Sequence, residues 1–491
     1  MRRIFSFALF LNAALSGGRG SRRADKSLPV PSSRLSRSFA LPGIGHPKNP
    51  LRCCLFPVWL TLLLVCSQVA SADDWPQWLG PNRDGVWHEK GIVTKFPEKG
   101  LPVKWKAPVN LGYSGPAVAN GRVYVTDYAR DAGDTGNDPG TRKELSGKER
   151  ILCLNAETGK IVWEHSYPCK YNISYPSGPR ATPTVQAGKV YTLGSEGDLV
   201  CLDANDGKVV WTKELKSEYK VQTPIWGFCA APLVDGKKLI CLVGGENSVV
   251  VAFDKDTGKE IWKALSAEEP GYSPPSIIQA GGVRQLIVWH TEAINGLNPE
   301  TGEVYWSKPL KPEYGMSIMI PQKHGDYLFA SGIGNIGALL KLDATKPTAE
   351  IVWRGRNDNA VYAANSTPII DETGTMYGAD CQKGQLRAVD LKTGDRLWET
   401  FAPTTGTRRG GHGTAYIIRN GNRYVLFSET GDLILANLSA KAYDEISRFH
   451  LIDPTGECFG RDVVWSYPAF ANKCVYARND KEIVCVSLAA E

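Results

Sequence analysis

Leu202-Asp203-Ala204-Asn205-Asp206-Gly207-Lys208-Val209-Val210-Trp211 is the stretch on which the reading of the fold turns. Asp203 can cap a tight turn through its side-chain oxygen, and Gly207 can take a positive φ at no steric cost. Lys208 to Trp211 then reads as a short strand. Upstream lie a strand, Val190-Tyr191-Thr192-Leu193-Gly194, a turn, Ser195-Glu196-Gly197-Asp198, and a second strand, Leu199-Val200-Cys201-Leu202. Together they predict a meander of an inner strand, two middle strands and an outer strand ending in Trp.

The same pattern recurs along the chain. Leu154 to Trp163, Phe253 to Trp262, Leu297 to Trp306 and Val389 to Trp398 repeat it well; Leu342 to Trp353 is degenerate, and a worn copy ends near Phe449. Successive tryptophans are separated by 48, 51, 44, 47 and 45 residues, a mean period of 47. That period, with four short strands per unit, marks a β-propeller blade. Inner strands are expected to begin near Gly115, Ala181, Ala231, Pro275, Met319, Thr367, Thr414 and Ala469, which makes eight blades. The last unit ends before its outer strand, and Val103-Lys104-Trp105-Lys106 is an outer strand with no blade of its own. The expected fold is therefore an all-β, eight-bladed propeller of four-stranded antiparallel blades, closed by that N-terminal strand, so that Lys104 and Trp105 lie beside Val475 and Val484. Closure removes the last exposed edge. The domain division is a leader over 1–72, an N-terminal segment packed on the ring over 73–102, and a single propeller over 103–491.

The repeats resemble the pyrroloquinoline-quinone (PQQ)-like repeat, which builds the eight-bladed propellers of quinoprotein alcohol dehydrogenases and of BamB-like outer-membrane assembly proteins. The resemblance covers roughly 103–488. It implies that Trp163, Trp211, Trp262, Trp306, Trp353 and Trp398 dock on the glycine-containing turn of an adjacent blade. The run Asp74-Trp75-Pro76-Gln77-Trp78-Leu79-Gly80-Pro81-Asn82-Arg83-Asp84-Gly85 is similar to the N-terminal segment of exported family members.

Function is expected at the channel mouth, where residues preceding the inner strands converge. These are Tyr113, Ser114, Arg180, Trp226, Tyr272, Met316, Tyr362, Asn365, Arg409, His412, Trp465 and Tyr467. Aromatics with a few cations suit a ligand or peptide surface, or they plug the channel. Arg180 and Arg409 require an acidic partner or an anionic ligand, because an unpaired guanidinium in a channel is costly. His412 lies between glycines in Arg408-Arg409-Gly410-Gly411-His412-Gly413, either as a ligand site or as a polar loop. Asp131 to Asp138 does not match an EF-hand and reads as a mobile, solvated insertion.

Charge and cysteine usage narrow the classes. The net charge of +6 divides into +9 over residues 1–72 and −3 over 73–491, so the body has no basic excess for gripping nucleic acid. Arg52, the apolar run Leu55 to Val65 and Ala70-Ser71-Ala72 form a secretory signal pattern with cleavage near Ala72, too short to span a membrane. Residues 1–50 are either an extended leader or follow a start assigned too far upstream. Nine cysteines remain beyond the leader. Cys153, Cys201 and Cys485 occupy one place in three repeated strands and read as small buried hydrophobes. Cys458 with Cys474 is the pair to test for a disulfide.

A PQQ dehydrogenase resembling the family's enzymes would need adjacent cysteines and a Trp as walls, a Ca²⁺ and a carboxylate base. Beyond the leader there are no adjacent cysteines and no CxxCH haem site. The expected protein is an exported, monomeric, non-catalytic binding or scaffold propeller of the periplasm or cell envelope. It would have no cofactor, no metal site and no transmembrane segment after cleavage. Its partner would be an envelope protein or a small ligand at the channel mouth. The alternatives are a PQQ- and Ca²⁺-dependent dehydrogenase acting on alcohols or sugars, and a carbohydrate-binding propeller.

Overall fold

The computed structural model describes residues 73–490; the leader with its signal pattern lies outside them. The fold is a β-propeller. Eight antiparallel sheets of four strands follow one another, one of them with a fifth strand. The first contains Ala117–Ala119, Arg122–Gly133, Lys143–Asn155 and Ile161–Pro168, with Tyr171–Ile173 added beside the third strand. The second runs Thr184–Gln186, Lys189–Leu193, Asp198–Asp203 and Val209–Glu214. The eighth consists of Ala469–Ala471, Cys474–Arg478 and Glu482–Ser487, completed by Val103–Pro108. Trp105 pairs with Cys485 and Lys106 with Val484, so the early strand does clasp the last sheet. The inner strand Ala117–Ala119 lies beside both Thr184–Gln186 and Ala469–Ala471, which joins the first sheet to the last. Inner strands start within three residues of the expected positions.

Local chemistry builds each sheet. In the turns, Asn155, Asp203, Asp254 and Asp390 accept backbone N–H bonds from residues two or three positions on, at 2.8 to 3.1 Å. A bulge in each outer strand sets its Trp opposite a residue of the third strand. Trp163 faces Cys153, Trp211 faces Cys201, Trp105 faces Cys485, Trp262 faces Ala252 and Trp398 faces Ala388. The three repeated cysteines are thus cross-strand neighbours of the indoles, a place held by alanine in two other sheets and by Leu339 opposite Trp353.

The tryptophans then lock one blade to the next. The indole N–H of Trp163 donates to Ala204 O at 3.0 Å, Trp211 to Lys255 O at 3.1 Å and Trp262 to Pro299 O at 3.3 Å. Trp353 donates to Leu391 O at 3.0 Å and Trp398 to Ser439 O at 2.8 Å. A Cβ on Gly207 would stand 2.6 Å from the Trp163 ring, so only glycine permits this approach. Trp105 makes the same joint across the closure, donating to Ala156 O at 2.9 Å above Gly159.

Trp306 departs from the expected docking. Its N–H donates to Gln285 Oε1 of its own sheet at 2.7 Å. The turn it would meet, Asp343 to Thr348, contains Pro347 and no glycine, and Lys346 O seats instead against Gly281. In the seventh sheet Ser447, not Phe449, occupies the register position of the Trp. Ser447 Oγ accepts from Phe96 N at 2.9 Å, while Phe449 packs against Gly100.

All nine cysteines of the described residues are free. The Cys458–Cys474 pairing is therefore corrected. Cys458 ends a short strand, Gly456–Cys458, outside the eight sheets, whereas Cys474 opens a strand inside the eighth.

Candidate functional site

The mouth residues precede the inner strands, so sheet closure carries them to one place. Nine of the expected twelve line a single cavity of about 230 Å³: Tyr113, Arg180, Trp226, Tyr272, Met316, Asn365, His412, Trp465 and Tyr467. The rings line the channel and leave it open at this point. Tyr362 and Arg409 are not part of the wall. Tyr362 is fully buried, its hydroxyl 2.6 Å from Arg356 O and 2.9 Å from Asn359 Oδ1, because its segment dives against Gly337 and Gly355. Arg409 is exposed, since Arg408 O is tied back to the Thr405 hydroxyl and the loop tip turns into solvent. Ser114 is buried behind the wall, 2.7 Å from Thr126 Oγ1.

Arg180 has neither an acidic partner nor a free fork. Its guanidinium donates to Gly178 O at 2.7 Å, Ser174 O at 2.9 Å, Ser195 Oγ at 3.4 Å and Tyr175 O. It also lies over the Tyr113 ring, 5.0 Å from the centroid. Burial pushes the Tyr113 phenol up to about 12, so it stays neutral. These contacts position the cation without neutralising it, and among the described residues it has no ion pair.

A second polar group fixes Trp465, which stacks on Tyr175. Glu429, buried, accepts from Arg461 Nε at 2.8 Å, from Trp465 Nε1 at 3.2 Å and from Thr414 N at 3.1 Å. It thereby fixes the Trp465 ring in the wall. His412 adopts a left-handed φ of 57° and stacks on Phe459, centroids 5.5 Å apart. Burial, helped by the Arg461 charge, pulls its pKa down to about 4, so the imidazole is neutral at pH 7.

Several wall residues escaped the sequence reading. Phe459 caps a hairpin, Gly456–Cys458 with Arg461–Val463, that lies outside the repeat. The Asp131–Asp138 stretch is not simply a solvated insertion. It tips the long hairpin of the first sheet, where Asn137 Oδ1 accepts from the Tyr113 hydroxyl at 3.1 Å and its amide donates to Glu457 O at 2.7 Å. Tyr175 stacks on Trp465 at 6.0 Å, and Trp78 meets Tyr467 edge-on at 5.3 Å. No periodicity marks these residues; only the aromatic side chains themselves could have hinted at them.

Trp78 comes from the N-terminal segment, which crosses the channel on the side away from the mouth loops. Trp75 bridges Val118, Pro76 O accepts from Val185 N at 2.8 Å, and Val86 bridges Arg419. Arg83 donates to Ala231 O at 3.2 Å, Pro275 O at 3.1 Å, Pro232 O and Gln77 Oε1.

No carboxylate belongs to the cavity wall, and no cluster of three or more His, Cys, Asp or Glu suited to a metal occurs among the described residues. Ca²⁺ needs hard oxygen ligands, and alcohol oxidation needs a base. The wall therefore does not fit a PQQ–Ca²⁺ centre, and it offers no group from which such a step could start. No helix of the described residues is long and apolar enough to cross a membrane.

Comparison with known proteins places this architecture. A family profile described as outer membrane protein assembly factor BamB matches residues 147–283, 246–448 and 290–491. BamB from Moraxella catarrhalis superposes with a TM-score of 0.51 at 16% identity, covering 80% of this chain and 98% of its own. Quinohemoprotein alcohol dehydrogenase from Comamonas testosteroni gives 0.55 at 13%, covering 85% and 81%. Quinohemoprotein alcohol dehydrogenase ADHIIG from Pseudomonas putida HK5 gives 0.53 at 14%, covering 85% and 80%. These identities speak to fold alone. A search of curated protein sequences finds no match.

Proposed function

The chain belongs to the family of the outer membrane protein assembly factor BamB, and from this premise we propose that it is a non-catalytic binding propeller of the cell envelope that works through its channel mouth. The observation that carries this reading is the wall of the cavity. It is aromatic, it holds one cation without a counter-charge, and it presents no acid to activate a substrate or hold a cation. Such a surface recognises; it lacks the group that would begin an oxidation. Envelope placement rests on the family and on the secretory pattern ending near Ala72.

The experiment uses the full chain expressed with its own leader and purified after export. Equimolar PQQ with millimolar Ca²⁺ is added, and quinone absorbance and dye reduction are followed with primary alcohols and aldoses. The expected result is no retained quinone and no dye reduction. Stoichiometric PQQ with turnover would overturn the non-catalytic reading in favour of the dehydrogenase.

A further inference from the structure

We infer that the mouth cavity is a binding site for a small aromatic carboxylate, with the anionic end between Arg180 and the Tyr272 hydroxyl and the ring among Trp78, Tyr416 and Tyr467. The inference rests on the mouth being the functional surface and names what it takes.

The first support is an unsatisfied donor. Tyr272 is 3% exposed, lines the cavity, and its hydroxyl has no hydrogen-bond partner. The Trp226 backbone acts on this oxygen as a donor and so does not take the phenol proton. A buried donor left unpaired is costly, and a ligand oxygen would recover that cost.

The second is the sign of the field. Arg180 is the cation of the wall, no wall residue is acidic, and His412 is neutral. Glu269 and Asp480 influence Tyr272 and Tyr113 electrostatically but do not line the cavity. An aromatic cage without a carboxylate and with a resident guanidinium repels ammonium ligands, which otherwise favour such cages.

The third concerns which anion. The four acceptors around Arg180 already occupy its terminal N–H groups, so no bidentate fork is left for a phosphate. A singly charged carboxylate needs less: one phenol donor and a fixed positive charge nearby. Size sets the ring. A cavity of roughly 150 Å³ accommodates benzene, and this one, at about 230 Å³, suits one or two fused rings. Tyr416 and Tyr467 lie 4.2 Å apart at 47°, and Trp78 stands edge-on to Tyr467, which gives ring edges and faces to meet it.

The test is calorimetric titration of the exported full chain with naphthoate, its neutral amide naphthamide, and cyclohexanecarboxylate, with tryptophan fluorescence as a second readout. Naphthoate should bind, with naphthamide weaker by about tenfold, the scale of one charged hydrogen bond, and cyclohexanecarboxylate weaker by several-fold, the scale of the aromatic contacts it lacks. Arg180→Gln should make acid and amide equal. Tyr272→Phe should weaken the acid several-fold and the amide less, with thermal unfolding verifying that both variants fold. Equal binding of acid and amide by the unaltered protein, no binding of either, or a preference for the acid that survives Arg180→Gln would each overturn the inference. None of those results would produce PQQ turnover, so failure here is distinguishable from failure of the non-catalytic reading.

Discussion

Arg83 at the closed side of the channel and Arg180 at the open mouth are chemically alike. Each is held by backbone carbonyls, and neither has a carboxylate partner. Their surroundings differ. Arg83 is 5% exposed and ties the N-terminal segment to the strands of two neighbouring blades, with Gln77 completing its shell. Arg180 holds only its own loop and Ser195, faces a cavity, and has an unsatisfied phenol in the same wall. A buried guanidinium is thus a pin where its carbonyl partners join separate blades. It becomes a candidate recognition element where a group in the same wall is left unsatisfied. The closed side tells how the ring is held, and the mouth tells what it could hold.

The closed side should carry the larger stability effects. Trp75 is 2% exposed, edge-on to Phe470 at 5.9 Å and pressed against Gly80. Trp75→Ala should cost about 3–5 kcal/mol, read as a drop in the urea midpoint. Arg83→Met removes the donor to three carbonyls and should cost about 3 kcal/mol, with the segment becoming sensitive to protease before the blades do. Arg180→Gln should change stability by no more than about 1 kcal/mol, because Arg180 and Tyr175, one of its carbonyl partners, line a cavity that water can enter. If Arg180→Gln proved as damaging as Arg83→Met, the contrast between the two sides would collapse.

What the sequence made legible follows the repeat. The Asp-x-x-x-Gly turns and the Trp spacing gave the sheets, because each turn closes on its own side-chain oxygen within three residues. The mouth followed in turn, because alternation locates the start of each inner strand and so the residues just before it. Where a copy degenerates, local pattern and tertiary partner separate: Trp306 bonds Gln285 of its own sheet, while Trp398 docks on Ser439 O of a turn that has no glycine. Tyr362 and Arg409 failed for a related reason, since their loops follow contacts with Gly355 and Thr405 that no period encodes. Trp78 reaches the mouth from the N-terminal segment and Phe459 and Asn137 from insertions, and Glu429 acts through Arg461 and Trp465, which lie more than thirty residues away in the chain.

His412 provides the finest probe of the mouth, because it reports whether that wall refuses a further positive charge. Burial and Arg461 hold its pKa at about 4 in the folded protein, against roughly 6.5 in the unfolded chain. Between those values the unfolded chain takes up a proton that the fold refuses. Stability should therefore fall as pH drops from about 6.5 to about 4, and this group should contribute nothing to the slope above that window. The full shift corresponds to about 3 kcal/mol. His450 acts in the opposite sense, since Asp453 and Asp432 raise its pKa, so the net curve of the unaltered protein is not the measurement. The difference between it and His412→Asn is. Urea midpoints at several pH values between 4 and 7.5 should converge for the two proteins at low pH relative to their separation at neutral pH. The Arg461–Glu429 pair is retained in both, so it cancels in the difference unless the substitution disturbs it. Parallel curves would mean that His412 is solvated, and that the mouth wall does not exclude charge on this side.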